Sequence, residues 1–249
     1  MQTKACTKKA NSLASEPIKC GNCSIKKLCL PVMLAEAEID HLETIVQQGN
    51  TLHKNTPLFH AGQKFEQVYA IRSGSFVSTS NTENGDEQIT GFFLPGEIIG
   101  LDAISSGTHK TSARALETSS VCAIPFDRLQ EIALVIPTLQ NQMFKIMSQE
   151  ISEEHELMML LGKKSAEERL AAFLINLSQR FKRRGLSSFQ FRLSMTRSQI
   201  GNHLGLAVET VSRLITRFCA SGLIQAEDRE IKILNMVALS TMAGVSCHT

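Results

Sequence analysis

Thr196-Arg-Ser-Gln-Ile-Gly-Asn-His-Leu-Gly205-Leu-Ala-Val208-Glu-Thr-Val-Ser-Arg213 holds two short apolar periods parted by one glycine. Thr196 is an N-cap candidate for a helix from Arg197 to Leu204, because its hydroxyl can accept from a free first-turn N–H. Gly205 supplies the turn, and Ala207 to Ser221 makes a second helix. Two short helices joined this way have helix-turn-helix proportions. Downstream, Leu223 to Glu227, the Asp228-Arg229 turn and Glu230 to Leu234 predict a two-stranded wing. A generic three-helix fold can mimic this pattern, so the surroundings have to decide.

Charge is the first of those surroundings. From Lys163 to Lys232 there are 13 Lys and Arg against 6 Asp and Glu, a net +7, while the remainder is net -5. A basic C-terminal third on an acidic body points to a nucleic-acid-binding module, with a solvated helix face as the plain alternative. Ala166 to Arg183 reads as a helix ending in the basic run Lys182-Arg-Arg-Gly185. Within the second short helix, Glu209, Ser212 and Arg213 share one exposed face, and Val211, Leu214, Ile215 and Phe218 face the core. Arg reads guanine O6 and N7 in bidentate fashion, a carboxylate accepts from cytosine N4, and Val208 can press on a thymine methyl. Thr196, Arg197 and Arg217 are placed for phosphate contacts.

Before this module, a period of 3.5 takes over after Pro137. Phe144, Met147, Ile151, Glu154, Met158 and Leu161 stand at heptad spacing, with Leu139, Met143, Ile146, Glu150, Leu157 and Leu160 in the adjacent stripe. A helix of this apolar width buries one face on its own chain and offers the other as a coiled-coil dimer seam. A core helix packed wholly within one chain is the alternative. Glu154 favours the seam, since a lone acid at a heptad position tunes association. Further upstream, from about Thr51 to Pro125, short apolar runs alternate with turn residues: Val68 to Gly74, Phe76 to Thr79, Asn84-Gly85-Asp86, Gln88 to Leu94, Pro95-Gly96 and Ser112 to Leu116. That spacing predicts a β-sandwich or β-roll, and Leu34 to Val46 a short amphipathic helix before it. The class is α+β.

The chain has 249 residues and 43% hydrophobic composition, which is ordinary for a water-soluble globular protein. No apolar run approaches the roughly 18 residues of a membrane span, and Met1 to Lys19 is polar, so a cytoplasmic protein with no membrane partner is expected. Seven cysteines, an odd number, argue against a disulfide framework and for metal or redox chemistry. Cys20-x2-Cys23-x5-Cys29 puts three thiols within ten residues, able to converge on one soft metal. Three is one short of the usual four for zinc or an iron–sulfur cluster, and Cys6, Cys122, Cys219 and Cys247 are the candidates for the fourth. Reduced cytosolic thiols without metal are the bland reading. No Gly-rich phosphate loop, HExxH or GxSxG occurs and the seven His are scattered, so catalysis is not expected.

Cys20-Gly-Asn-Cys23-Ser-Ile-Lys-Lys-Leu-Cys29, Gly85-Asp-Glu-Gln-Ile-Thr-Gly91, Pro95-Gly96-Glu97-Ile-Ile-Gly100, Lys163 to Phe173 and Val208 to Arg213 together resemble the cyclic-AMP receptor/fumarate and nitrate reduction regulator superfamily, on its fumarate-and-nitrate-reduction side. The resemblance covers nearly the whole chain. It implies a cysteine arm over 1–30, a cyclic-nucleotide-binding-like β-roll sensor over 31–137, a dimerisation helix over 138–162 and a winged helix-turn-helix over 163–249. It implies an oxygen-labile [4Fe-4S] cluster on Cys20, Cys23, Cys29 and Cys122, with oxygen as the signal. It also implies a homodimer on a palindromic double-stranded DNA operator read by Glu209, Ser212 and Arg213, and an RNA polymerase contact that includes Gly85 and Asp86. A structural zinc or a thiol redox switch is the rival chemistry. The cyclic-nucleotide branch carries an Arg-Ser pair where this chain has Lys110-Thr111, so no cyclic nucleotide is expected. Cys6, Cys219 and Cys247 fall outside the ligand pattern.

Overall fold

The structure is a computed structural model that describes residues 19–82 and 84–244. Cys6, Cys247 and the first part of the cysteine arm lie outside the described residues. A short helix, α1 (Glu36–Glu43), precedes eight strands: β1 (Gln47–Gln48), β2 (Pro57–Phe59), β3 (Gln67–Ser73), β4 (Phe76–Asn81), β5 (Glu87–Phe93), β6 (Ile98–Ile99), β7 (Ser112–Ala115) and β8 (Ser120–Pro125). They form two four-stranded antiparallel sheets, ordered β1-β8-β3-β6 and β2-β7-β4-β5.

Side chains alternate faces along a strand, and that alternation sorts the core. From β3, Tyr69 and Ile71 enter the space between the sheets with Phe59, Phe76 and Val121. Val68 and Ala70 take the other face, where they meet Leu42, Phe126, Leu129 and Leu139 from the helices. On β8 the same rule sends Val121 and Ala123 between the sheets, and Ile124 and Cys122 toward the helices. Both faces of β3 and β8 are covered, which explains their near-continuous apolar character.

Helix α2 (Phe126–Val135) follows Pro125 at once, and α3 (Pro137–Lys163) starts with a proline whose missing N–H costs nothing at that position. At 27 residues, α3 extends about 40 Å. Leu139 is buried, and Met143 and Ile146 pack against the β-roll side. Of the other stripe, Phe144, Ile151 and Met158 are 56%, 54% and 66% exposed, Glu154 is exposed, and Met147 and Leu161 are half-buried.

Helix α4 (Ala166–Arg183) opens on a capping box in which Ser165 Oγ accepts from Glu168 N at 3.3 Å and Glu168 Oε2 accepts from Ser165 N at 2.7 Å. Helix α5 (Arg197–Leu204), α6 (Val208–Ala220) and α7 (Met236–Ala243) complete the helical part. Leu170, Leu174, Leu177, Ile200, Val211, Phe218 and Leu239 form their common core. The wing is larger than the two strands expected: β10 (Ile224–Glu227) and β11 (Glu230–Ile233) are joined by β9 (Gln190–Arg192), in the order β10-β11-β9. Three residues are too few to show a period, so β9 owes its existence to the β11 edge it pairs with. Among the described residues no helix is long and apolar enough to cross a membrane.

Candidate functional site

Three of the four thiols come from the arm. Cys20 opens a single 3-10 turn, held where Gly21 N donates to Glu43 Oε1 of α1 at 2.9 Å and Lys26 Nζ donates to Gly21 O at 2.7 Å. Leu28 lies on the Pro95-Gly96 turn so closely that a Cβ at Gly96, whose φ is +93°, would stand 2.6 Å from Leu28 Cβ. Only glycine serves there, on both conformational and steric grounds. Cys29 is then buried against the helix-facing side of the β3–β8 sheet, and Cys122 of β8 packs on the same cluster.

Burial, with Cys122, Glu43 and Cys23 adding negative charge, pushes the Cys20 thiol up to about 11. Burial likewise pushes Cys29 up to about 12, with Cys20, Cys122 and Cys23 adding to it, and raises Cys122, with Cys23 adding to it. Cys20, Cys29 and Cys122 therefore share, with Cys23 as a neighbour, one electrostatic surrounding in which bare thiolates of the three are disfavoured. Positive charge from a metal centre would relieve that cost, and thiol donors suit iron or zinc, so the donor set fits such a centre. Among the described residues no three Cys, His, Asp or Glu side chains are grouped closely enough to hold an ion. Cys219 lies apart on α6, half-buried.

The second candidate surface is α6. Val211, Leu214, Ile215 and Phe218 are buried as the period predicts, while Val208, Glu209 and Arg213 are exposed and Ser212 is half-buried. Arg213 Nη2 donates to Thr210 Oγ1 at 3.3 Å, leaving most of its donors outward. Thr196 caps α5: its Oγ1 accepts from Gln199 N at 3.2 Å, and Gln199 Oε1 accepts from Thr196 N at 2.8 Å. Arg197 is exposed, whereas Arg217 is ion-paired with Glu167 of α4. Gly85 and Asp86 form the exposed β4–β5 turn, in which Gly85 N donates to Thr82 O at 2.9 Å and Asp86 N to Thr82 Oγ1 at 3.1 Å.

Sequence reasoning missed the residues that join these surfaces. Glu97 accepts from Arg180 Nε at 3.0 Å and from Arg184 Nη2 at 2.6 Å, and also pairs with Arg180 Nη2. Arg180 Nη2 donates to Phe92 O at 2.6 Å, and Arg184 Nε to Pro95 O at 2.8 Å. Burial works against the Glu97 carboxylate, but the two guanidiniums and the Leu94 N–H outweigh it and hold the carboxyl below its ordinary range. Asn202 of α5 docks on the edge of β5, accepting from Ile89 N at 2.6 Å and donating to Glu87 O at 2.7 Å. The one available signal was Glu97 inside Gly96-Glu97-x-x-Gly100; its partners are over 80 residues away and left no local trace.

The profile of the Crp-like helix-turn-helix domain matches residues 168–242, and that of the cyclic nucleotide-binding domain residues 50–134. The transcriptional activator protein Anr of Pseudomonas protegens is 50% identical over 240 residues, covering 93% of this chain and 98% of that one. The fumarate and nitrate reduction regulatory protein of Escherichia coli K12 is 50% identical over 227 residues, covering 91% of each. The chain belongs to the FNR/Anr family of transcriptional activators. FixK2 from Bradyrhizobium japonicum has the same architecture, with a TM-score of 0.74 at 26% identity over 82% of this chain and all of that one. As the sequence led us to expect, this is a DNA-binding regulator of α+β class and not an enzyme.

Proposed function

We propose that this regulator is oxygen-responsive: Cys20, Cys23, Cys29 and Cys122 hold a [4Fe-4S] cluster whose integrity governs dimerisation and DNA binding. The observation that carries the reading is that Cys29 and Cys122 share the sheet face that also receives α2 and α3, with Cys20 and Cys23 in their electrostatic neighbourhood. When bound, such a cluster supplies a centre that oxygen can oxidise and dismantle. The chain's own residues do the rest. In this reading residues 1–30 form the cluster arm, 31–137 the sensor, 138–162 the dimer helix and 163–249 the DNA-binding domain, all in the cytoplasm.

Cys29 and Leu28 fix the arm on the β-roll, and Cys122 ties it to the strand that leads into α2. Phe144, Met147, Ile151, Met158 and Leu161 then form the homodimer seam, with Glu154 opposite its symmetry mate. Dimerisation sets two α6 helices one helical turn of DNA apart, about 34 Å, which calls for a palindromic operator. Val208, Glu209, Ser212 and Arg213 read bases there; Thr196, Arg197 and Arg217 meet phosphates, Arg217 by exchanging Glu167 for the backbone. Gly85 and Asp86 face RNA polymerase. The cyclic-nucleotide alternative is disfavoured by Asp102, whose carboxylate takes up Lys110 N, Thr111 N and Thr111 Oγ1 at 2.8–3.0 Å, the donors a phosphate would need.

Iron and acid-labile sulfide content with the visible spectrum, on protein purified without air, tests the cofactor. About four irons per chain is the expected result, lost when Cys122 or Cys29 becomes Ser. Colourless protein carrying one zinc overturns the reading.

A further inference from the structure

We propose that Arg169 is a positioning residue that transmits the setting of α3 to the recognition helix α6. It sits half-buried on α4, and its guanidinium donates to three carbonyls on three segments. Nη2 reaches Leu161 O in the last turn of α3 at 2.7 Å, Nε reaches Lys164 O in the α3–α4 link at 3.0 Å, and Nη1 reaches Leu204 O at the end of α5 at 3.0 Å. Carbonyls in a last helical turn have no partner within their own helix, and a helix C-terminus attracts positive charge. A single planar fork with five donors thus caps two helix ends at once.

The turn into α6 lies beside the same joint. A Cβ at Gly205 would lie 3.4 Å from Arg169 Nη1 and 3.7 Å from Leu161 Cδ2, and Gly205, at φ +63°, is the turn that leads into α6. Leu161 is held there by its carbonyl, and its side chain lies beside the turn. Any shift of the α3 C-terminus moves the α5–α6 turn with it. The inference depends on α3 being the dimer seam only for its consequence at the operator; the joint itself lies within one chain.

The test uses the full chain prepared without air. Nitroxide side chains introduced as noncanonical residues at Ser152 on α3 and Thr216 on α6, diluted with unlabelled chain, report the distance between the two helices in one copy. The unsubstituted chain should give one narrow distribution and R169A a clearly broader one. R169K should fall between them, since a lone ammonium cannot span three acceptors. Alongside, R169A with unchanged circular dichroism and sedimentation should keep its half-site affinity. Its discrimination between a palindrome of preferred spacing and one a base pair longer should fall by about tenfold. An equally narrow distribution in R169A and R169K overturns the proposal, as does intact spacer discrimination in a dimer. If the unsubstituted chain neither dimerises nor prefers a spacing, the dimer reading fails and the label distances alone decide on Arg169.

Discussion

Glu97 shows how much one side chain can hold. Its carboxylate takes two guanidiniums, from Arg180 of α4 and Arg184 just past its end, in a site that exposes only 9% and 6% of those two side chains. Removing the charge leaves both cations buried without their partner, a situation that typically costs about 3–5 kcal/mol. Glu97→Gln should lower the urea midpoint accordingly; a change within error would show that the pairs contribute nothing net. Glu150 makes the opposite point. Burial, then Glu154, Glu153, Asp102 and Glu97, push its carboxyl up to about 7. The folded form thus holds a proton that the unfolded chain releases near the ordinary carboxyl range, so stability falls as pH rises through the interval up to about 7. Comparing unfolding midpoints at pH 6 and 8, Glu150→Gln should abolish that part of the decline; an undiminished decline would place its origin elsewhere. At the DNA surface, Arg213→Ala should cost about 1–3 kcal/mol and relax preference at one base pair per half-site. Uniform weakening on all sequences would make Arg213 a phosphate contact instead.

Elements with chemical signals at their ends were legible. Thr196 and Gly205 bracket the expected 197–204 helix, and α5 occupies Arg197–Leu204, because a capping hydroxyl and a positive-φ glycine are local features. Ala166–Arg183 is likewise the span of α4, with Ser165 and Glu168 closing its start. The individual strands β1, β2, β6, β8 and β9 and helices α2 and α7 were not legible. β2 and β9 are three residues long, and their strand character comes from β7 and β11 beside them. β8 is buried on both faces, so its side chains carry no polar–apolar alternation, and Pro125 then passes straight into α2. The thiol positions were legible as spacing, but the face that Cys122 shares with Cys29 follows from the pleat of β8. On α3, Leu139, Met143 and Ile146 pack inward and Phe144, Ile151 and Met158 face outward, whereas Met147 and Leu161 of the expected outer stripe are half-buried. Two copies of Glu154 facing each other across a seam repel more strongly as they lose water. Glu154→Ala should therefore make the cluster-free chain dimeric in sedimentation velocity, and a monomer as complete as before would remove Glu154 from that role.

Across the whole molecule, the two folded parts are joined by more than the α3–α4 link. Phe92 of β5 stacks edge-on to Phe173 and His203, with ring centroids 6.0 and 5.1 Å apart, and Val77 and Ile89 belong to the same core as the C-terminal helices. Leu28 on Gly96, Glu97 on Arg180 and Arg184, and Asn202 on β5 make a continuous run of contacts from the cysteine arm to the first helix of the DNA-binding motif. The arm is thus in a position to affect DNA binding through its own chain, alongside the proposed dimerisation. In the proposed mechanism one cofactor state controls both association and operator binding. The direct measurement takes a single sample purified without air and follows sedimentation velocity and binding to a palindromic operator before and after exposure to air. Dimers that bind the palindrome, converting to monomers that do not as the visible absorbance changes, are the predicted result. Association and palindrome affinity that stay constant through air exposure would contradict it.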